Sequence, residues 1–350
     1  MTPRVATVLS ARDWERHLVA HAREAATLRL VLRAFRPEDV SAARPELDVV
    51  VAGSETAWVT GARIASWRRS GLAVIGIHPR GDSPARTRLE DAGADQVLAD
   101  DVPPETIAHA AVSLGPAGPE TRSSDPAGPV ILVAGPRGAP GRTEMALALA
   151  WELGVGERRP ILIDLDTAAP SLAIRLGVPP RPDVRDAIEG NHLSGHLPDA
   201  AIHRIGPIDL VVGSHREGST PATPGELEDL VSSAAPGHSA VVLDPGPLIG
   251  DEHMVRSADR ALLVVEGSPT GIVRAARVAA AWMGPLPSLI LNRVPPRRRD
   301  DIVCAARRWT GLEPEAIIPH LPAVASAARR GDIPIRALRK TLSPLAGVPA

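Results

Sequence analysis

Pro129-Val-Ile-Leu-Val-Ala-Gly135-Pro-Arg-Gly138-Ala-Pro-Gly141-Arg-Thr143-Glu-Met-Ala-Leu-Ala-Leu-Ala-Trp-Glu-Leu153 is the stretch from which the rest of the chain can be placed. Val130 to Ala134 is a short, β-branched apolar run, the pattern of a strand buried on both faces. Gly135 to Gly141 then puts three glycines and two prolines into seven residues. Met145, Leu149 and Leu153 recur at helical spacing among alanines, which predicts a helix packed on a sheet. Strand, Gly-rich turn and helix with Thr143 at its start make the geometry of a phosphate-binding loop. Backbone N–H groups in such a turn point inward at an anion, and the positive end of the helix dipole adds to them. The pattern G-x-x-x-x-G-K-[ST] is met at Gly141 and Thr143, whereas Pro136 and Arg142 stand where it asks for glycine and lysine. A plain strand–turn–helix joint is the other reading of the same residues.

Composition supports layers built around that stretch. With 350 residues the chain has room for two or three domains, and 44% apolar residues exclude disorder as its class. Aromatics are 2%, with no tyrosine and one phenylalanine, so Val, Leu, Ile and Ala must fill the cores. That suits doubly wound α/β units. Lys340 is the only lysine, so no loop can use the usual phosphate-binding lysine. A net charge of −2 argues against a chain that coats nucleic acid. Cys304 stands alone, which excludes a disulfide framework and a cysteine-based metal site. The first residues, MTPRVATVLSARDWER, lack the apolar core of a signal peptide, and no run approaches a membrane span. A cytoplasmic location is expected.

Upstream, residues 1–114 predict a compact α/β unit. Val5–Leu9, Leu28–Leu32, Val49–Ala52, Ala73–Ile77 and Gln96–Leu98 read as strands, with helices at Trp14–Arg23, Ala62–Arg69 and Ala85–Ala92 between them. This alternation gives a parallel, flavodoxin-like sheet. In length and order it resembles a response-regulator receiver domain. Receiver chemistry needs acidic residues after the first strand, an aspartate after the third and a lysine after the fifth. Those places hold Ser10-Ala11-Arg12, Gly53-Ser54 and Ala99-Asp100, with Asp13 and Asp48 nearby but displaced. The unit is therefore read as a pseudo-receiver, a docking or dimerisation module. His17 and His21, like His192 and His196, are spaced for a metal but lack a third ligand, and read as solvated. Residues 115–128 are a Pro/Gly/Ser linker, and 129–350 form the second domain.

Four further apolar runs follow the helix. Ile161 to Asp164 leads into Asp166, Ala240 to Val242 into Leu243-Asp244, Ala261 to Val265 into Glu266, and Ser288 to Leu291 into Asn292. Polar groups thus collect at the carboxyl edge of one parallel sheet, where the loop also opens.

Here the chain resembles the MinD/ParA family of P-loop ATPases over residues 129–335, whose loop reads KGGxGK[ST]. The resemblance implies ATP with Mg²⁺ as ligand and a homodimer as the working form. It places Arg137 at the lysine that reaches across the dimer, Gly138 and Gly141 in the loop, and Arg142 at the P-loop lysine. Thr143 and Asp244 fall at the metal side, Asp166 at the water-positioning aspartate and Asn292 at the adenine contact. Combined with a receiver-like unit, the pattern is similar to CpaE/TadZ pilus-localisation and actinobacterial septum-site-determining proteins. It implies a regulator that positions division or pilus and secretion machinery.

The departures weaken hydrolysis more than binding. Arginine keeps the charge at 142, but its planar guanidinium tucks under phosphates less readily than an ammonium, and Pro140 removes an N–H donor. A docking scaffold without nucleotide chemistry is the second reading. A partition-type DNA contact through Arg297-Arg298-Arg299 and Arg329-Arg330 is a third, opposed by Asp300 and Asp301. At the end of the chain Ile335, Leu338 and Leu342 share a helical face flanked by Arg336, Arg339 and Lys340. Docking of that face on the sheet is favoured over reversible peripheral contact with anionic membrane.

Overall fold

The computed structural model describes residues 2–115, 128–138, 141–154, 158–216, 218, 220–248, 254–255, 258–333, 338, 342 and 345. The chain divides into two compact units, Met1–Asp125 with Ile188–Pro198, and Pro126–Ala187 with Asp199–Ala350. Most of the Pro/Gly/Ser stretch 115–128 lies outside the described residues, as do Ala139 and Pro140.

The first unit alternates β1 (Arg4–Val8), α1 (Asp13–Ala25), β2 (Arg29–Ala34), α2 (Pro37–Ala43), β3 (Val49–Gly53), α3 (Gly61–Arg69), β4 (Ala73–His78), α4 (Ser83–Asp91), β5 (Gln96–Ala99) and α5 (Pro104–Leu114). Its strands pair in parallel in the order β2-β1-β3-β4-β5. Successive strand residues serve opposite faces. Val49 and Val51 pack with Trp14 and Leu18 of α1 and Ile107 of α5, whereas Val50 and Ala52 pack with Ile64 and Trp67 of α3. Helix α2, not expected from the sequence, has only Val40 fully buried, so it carries no apolar stripe. Asp39 holds its start by accepting from the N–H groups of Phe35 and Arg36 at 2.9 Å each.

The second unit begins with β6 (Val130–Ala134), α6 (Arg142–Leu153), β7 (Ile161–Asp164) and α7 (Leu172–Leu176). Helix α8 (Val184–Ser194) starts in this unit and ends among the residues of the first. There follow β8 (His203–Ile205), β9 (Ile208–Val211), α9 (Pro224–Ala234), β10 (Val241–Asp244), β11 (Arg260–Glu266), α10 (Pro269–Ala280), β12 (Ser288–Val294), α11 (Arg299–Thr310), β13 (Pro314–Pro319) and α12 (Pro322–Arg330). The eight strands run β13-β12-β11-β6-β10-β7-β9-β8, all parallel except β8, which pairs antiparallel with β9. Chain order moves outward one way from β6 to β9 and the other way from β10 to β13. The reversal falls at β6 and β10, and the crevice outside the carboxyl ends there is where such sheets hold ligands.

Three strands were not legible beforehand. β8 has three residues, and β9 is only four with Asp209 inside it. That aspartate is buried because Arg159 donates to it at 2.6 Å and His238 lies 3.4 Å away. β13 opens and closes with proline, which masks its strand pattern. Leu338, Leu342 and Leu345, spaced i, i+4, i+7, are 2%, 0% and 1% exposed within the core that contains Ile131, Val133 and Leu149. Ile335, Arg336, Arg339 and Lys340 lie outside the described residues. No described helix is long and apolar enough to cross a membrane.

Candidate functional site

Burial shapes the site before any ligand is considered. β6 is buried at every residue, and α6 is buried almost all round, from Arg142 through Met145 to Ala150. A helix so enclosed brings its first residues to the sheet edge with little freedom. Gly141 begins it at φ +93°, and a Cβ there would stand 2.5 Å from the Asn292 amide nitrogen. Only glycine fits, and the loop thereby touches the residue expected to contact the base.

Arg142 does not extend into solvent. It is 8% exposed, and its Nη1 donates to the carbonyls of Pro136 at 2.7 Å and Gly135 at 3.2 Å. Its Nε is buried without a partner. Burial lowers the guanidinium pKa from its usual value, while the charges of Asp244 and Asp166 oppose that. The side chain therefore arches back onto its own loop and faces the acidic edge.

Asp164 and Asp244 are paired in register on adjacent strands, 1% and 2% exposed. Asp164 accepts from the N–H groups of Asp166 and Ser171 at 3.1 Å each and of Leu172 at 3.2 Å. Even so, burial, and then the neighbouring Asp244, push its pKa up to about 7. Asp244 is raised too, by burial first, with the Thr143 hydroxyl and then Arg142 working against that rise. Its Oδ1 has no hydrogen-bond partner. Asp166 caps the following turn, accepting from Ala168 and Ala169 at 2.9 Å each. It also lies against Gly246, where φ is +74° and a Cβ would be 2.5 Å from the Asp166 carboxyl carbon.

The carboxyl pair has a measurable consequence. Between about pH 4 and pH 7 the folded chain holds a proton on Asp164 that the unfolded chain has released. Stability therefore falls as pH rises through that window, by on the order of 4 kcal/mol when the group is fully ionised. Melting curves in chelator are expected to show a slope over this range that flattens in Asp164→Asn. An equal slope in both proteins would assign it elsewhere.

Thr143, Asp244, Asp166, Arg142 and Gly141 thus gather at one edge, with Asn292 beside Gly141. Arg137 is exposed, and its carbonyl accepts from Arg274 Nη1 of α10 at 3.1 Å. Arg274 had no signal in the sequence, being one arginine among many on a helix. Nor did the ion pair of Glu144 with Arg175, at 2.6 and 2.9 Å, in which Arg175 also donates to the Asp332 carbonyl at 2.6 Å. A cavity of about 710 Å³ opens beside Gly141 and Asn292, floored by Met145, Ile318 and Leu338. Among the described residues no three His, Cys, Asp or Glu side chains are placed to hold a metal. A cation at Thr143 and Asp244 would need phosphate and water to complete its shell.

No family profile matches the chain. It is 30% identical over 152 residues, 42% of its length, to the antiactivator FleN of Pseudomonas aeruginosa. The match spans 53%, about half, of that relative. Among solved structures it is similar to a ParA family ATPase from Chlorobium tepidum, with TM-score 0.55 and 20% identity over 63% of this chain and 99% of the other. An ATP complex of a McdA variant from Cyanothece superposes at TM-score 0.51, with 15% identity over 64% and 98%. The MinD cell division protein of Aquifex aeolicus gives TM-score 0.50, with 21% identity over 64% and 99%. The eight-stranded sheet, parallel but for β8, with its loop after β6 has the P-loop fold of the MinD and ParA structures.

Proposed function

We propose that this chain is a MinD/ParA-like nucleotide-binding regulator that positions division or pilus and secretion machinery, with weak or absent hydrolysis. One observation carries this reading: the unpartnered Oδ1 of buried Asp244, beside the Thr143 hydroxyl at the loop's mouth. A buried carboxylate oxygen without a donor is costly, and a hydrated cation on a nucleotide would satisfy it. The residues fit such a ligand: Thr143 and Asp244 would hold Mg²⁺, Arg142 would face the phosphates, and the cavity beside Asn292 would take the base. Bound Mg²⁺ would neutralise charge on the phosphates. Arg142, spent on the Gly135 and Pro136 carbonyls, is less free to follow charge as it develops, which supports slow turnover.

The first unit serves in this reading as a pseudo-receiver for docking. Its strand order 2-1-3-4-5 is that of flavodoxin-like sheets. The acids near its receiver positions are engaged: Asp48 with Arg4, Asp13 with Arg16 and Asp100 with Arg12. The Glu55 carboxylate meets the Ser10 hydroxyl, at the ends of β3 and β1.

Titrating the pure chain with a fluorescent ATP analogue, with and without Mg²⁺, tests the proposal. Saturable binding is expected, with the Mg²⁺ dependence lost in Thr143→Ala. Sedimentation should show a dimer with ATP that Arg137→Ala weakens, because a guanidinium reaching a facing phosphate makes paired, charge-assisted bonds. A single mass with and without ATP, together with no binding, favours the docking scaffold. The arched Arg142 is the observation that favours that second reading.

A further inference from the structure

Helices α10 and α11 leave an open groove between them. Pro269, Ile272 and Val273 wall one side, and Ile302, Ala305 and Trp309 the other, around a cavity of about 270 Å³. In α11 the three wall residues fall at i, i+3 and i+7, one continuous stripe. Ile302 is 5% exposed and holds the helix to the core, yet Trp309 on the same stripe is 60% exposed and Val273 opposite it 45%. A chain with seven aromatic residues in 350 thus leaves a tryptophan at the mouth of a cleft that packing does not close. Large exposed apolar side chains rimmed by polar ones mark interaction sites.

The rim selects the partner by charge. Arg298 lines the groove, Arg308 precedes Trp309, and Arg277 lies one turn beyond Val273 on α10. None of the three makes an ion pair among the described residues; the pairing of α11 runs from Arg307 to Glu313. Asp301 is the acid that shares the lining with Arg298. Counted over Arg298 and the two helices, six arginines (Arg274, Arg277, Arg298, Arg299, Arg307 and Arg308) stand against Asp300 and Asp301, an excess that complements a helix with leucine-like anchors flanked by Asp and Glu. A flat bilayer would need these side chains on a convex surface, whereas here they form two facing walls.

We propose that the α10–α11 groove docks an acidic amphipathic helix of a partner protein, independently of nucleotide at the loop. The test is selection from a displayed library of helix-forming peptides of about 18 residues, long enough to hold a helix alone. Full-length protein is the target. Enriched peptides are expected to carry apolar residues at i, i+3 or i+4, and i+7, with acidic flanks. Their affinity should fall at least about tenfold for Trp309→Ala and for Val273→Asp, with melting temperatures unchanged, as an anchor at the centre of such a contact requires. The double variant Arg298→Glu/Arg308→Glu should turn selection toward lysine-flanked peptides. Failure to enrich peptides that depend on Trp309, or enrichment of basic ones, overturns the proposal. So does Trp309-dependent binding to phosphatidylglycerol vesicles in place of peptide.

Discussion

Arg142→Ala is expected to lower the melting temperature by about 10 °C near pH 8 and by less at acid pH, the largest single effect foreseen at the loop. The guanidinium is enclosed, donates to two loop carbonyls and is the cation facing Asp244. Removing it takes the donor from the Pro136 carbonyl, leaves the Gly135 carbonyl with the Leu248 N–H alone at 3.1 Å, and leaves a buried carboxylate without compensation. Breaking a buried charge pairing costs about 3–5 kcal/mol. For a unit of this size each kcal/mol is worth about 2–4 °C. Acid relieves the loss, because Asp244, already raised by burial, then takes a proton instead of a charge. Arg142→Lys keeps the charge on a shorter head and should retain most of the stability, while an ammonium suits the phosphate cradle better. Equal melting of wild type and Arg142→Ala at both pH values would mean that the arch carries no weight in the fold.

Truncating Leu342 to alanine is expected to cost about 3 kcal/mol, and deleting residues 335–350 more. Leu342 is fully buried, so its removal leaves a cavity in the main core as well as losing the transfer energy of the missing carbons. Leu338 and Leu345 add two more buried side chains of about 1.5–3 kcal/mol each. The Leu345 carbonyl also accepts from Arg260 at 2.6 Å. Leucines committed to the core are not available to a bilayer, so binding to anionic liposomes should stay near background in both proteins. Salt-sensitive liposome binding, abolished by the deletion with an unchanged melting temperature, would reverse this.

What could be read from the sequence follows physical necessity. A buried parallel strand must be a continuous apolar run, so β6, β10, β11 and β12 were visible, and the cluster of glycines after β6 marked the turn into α6. Asp166, Asp244 and Asn292 could be placed at the sheet edge because strand ends are marked by where the apolar runs stop. β8, β9 and β13 escaped because three to six residues with an internal aspartate or terminal prolines carry no period. The path of Arg142 was beyond reach as well, since the residue type fixes a charge but not whether the side chain turns outward or back onto its own loop. Arg274 meets the loop only through the packing of α10 beside β11, and no spacing along the chain encodes that.

Both margins of the eight-stranded sheet are poorly suited to further pairing. β8 presents three residues, and β13 starts at Pro314 and ends at Pro319, neither of which can donate. An extended peptide, or a second copy arriving edge-on, therefore finds only a short ladder at either margin. Growth of the sheet from chain to chain is disfavoured at each side. A contact between two copies would then run through side chains at the strand ends or on the helices rather than through backbone.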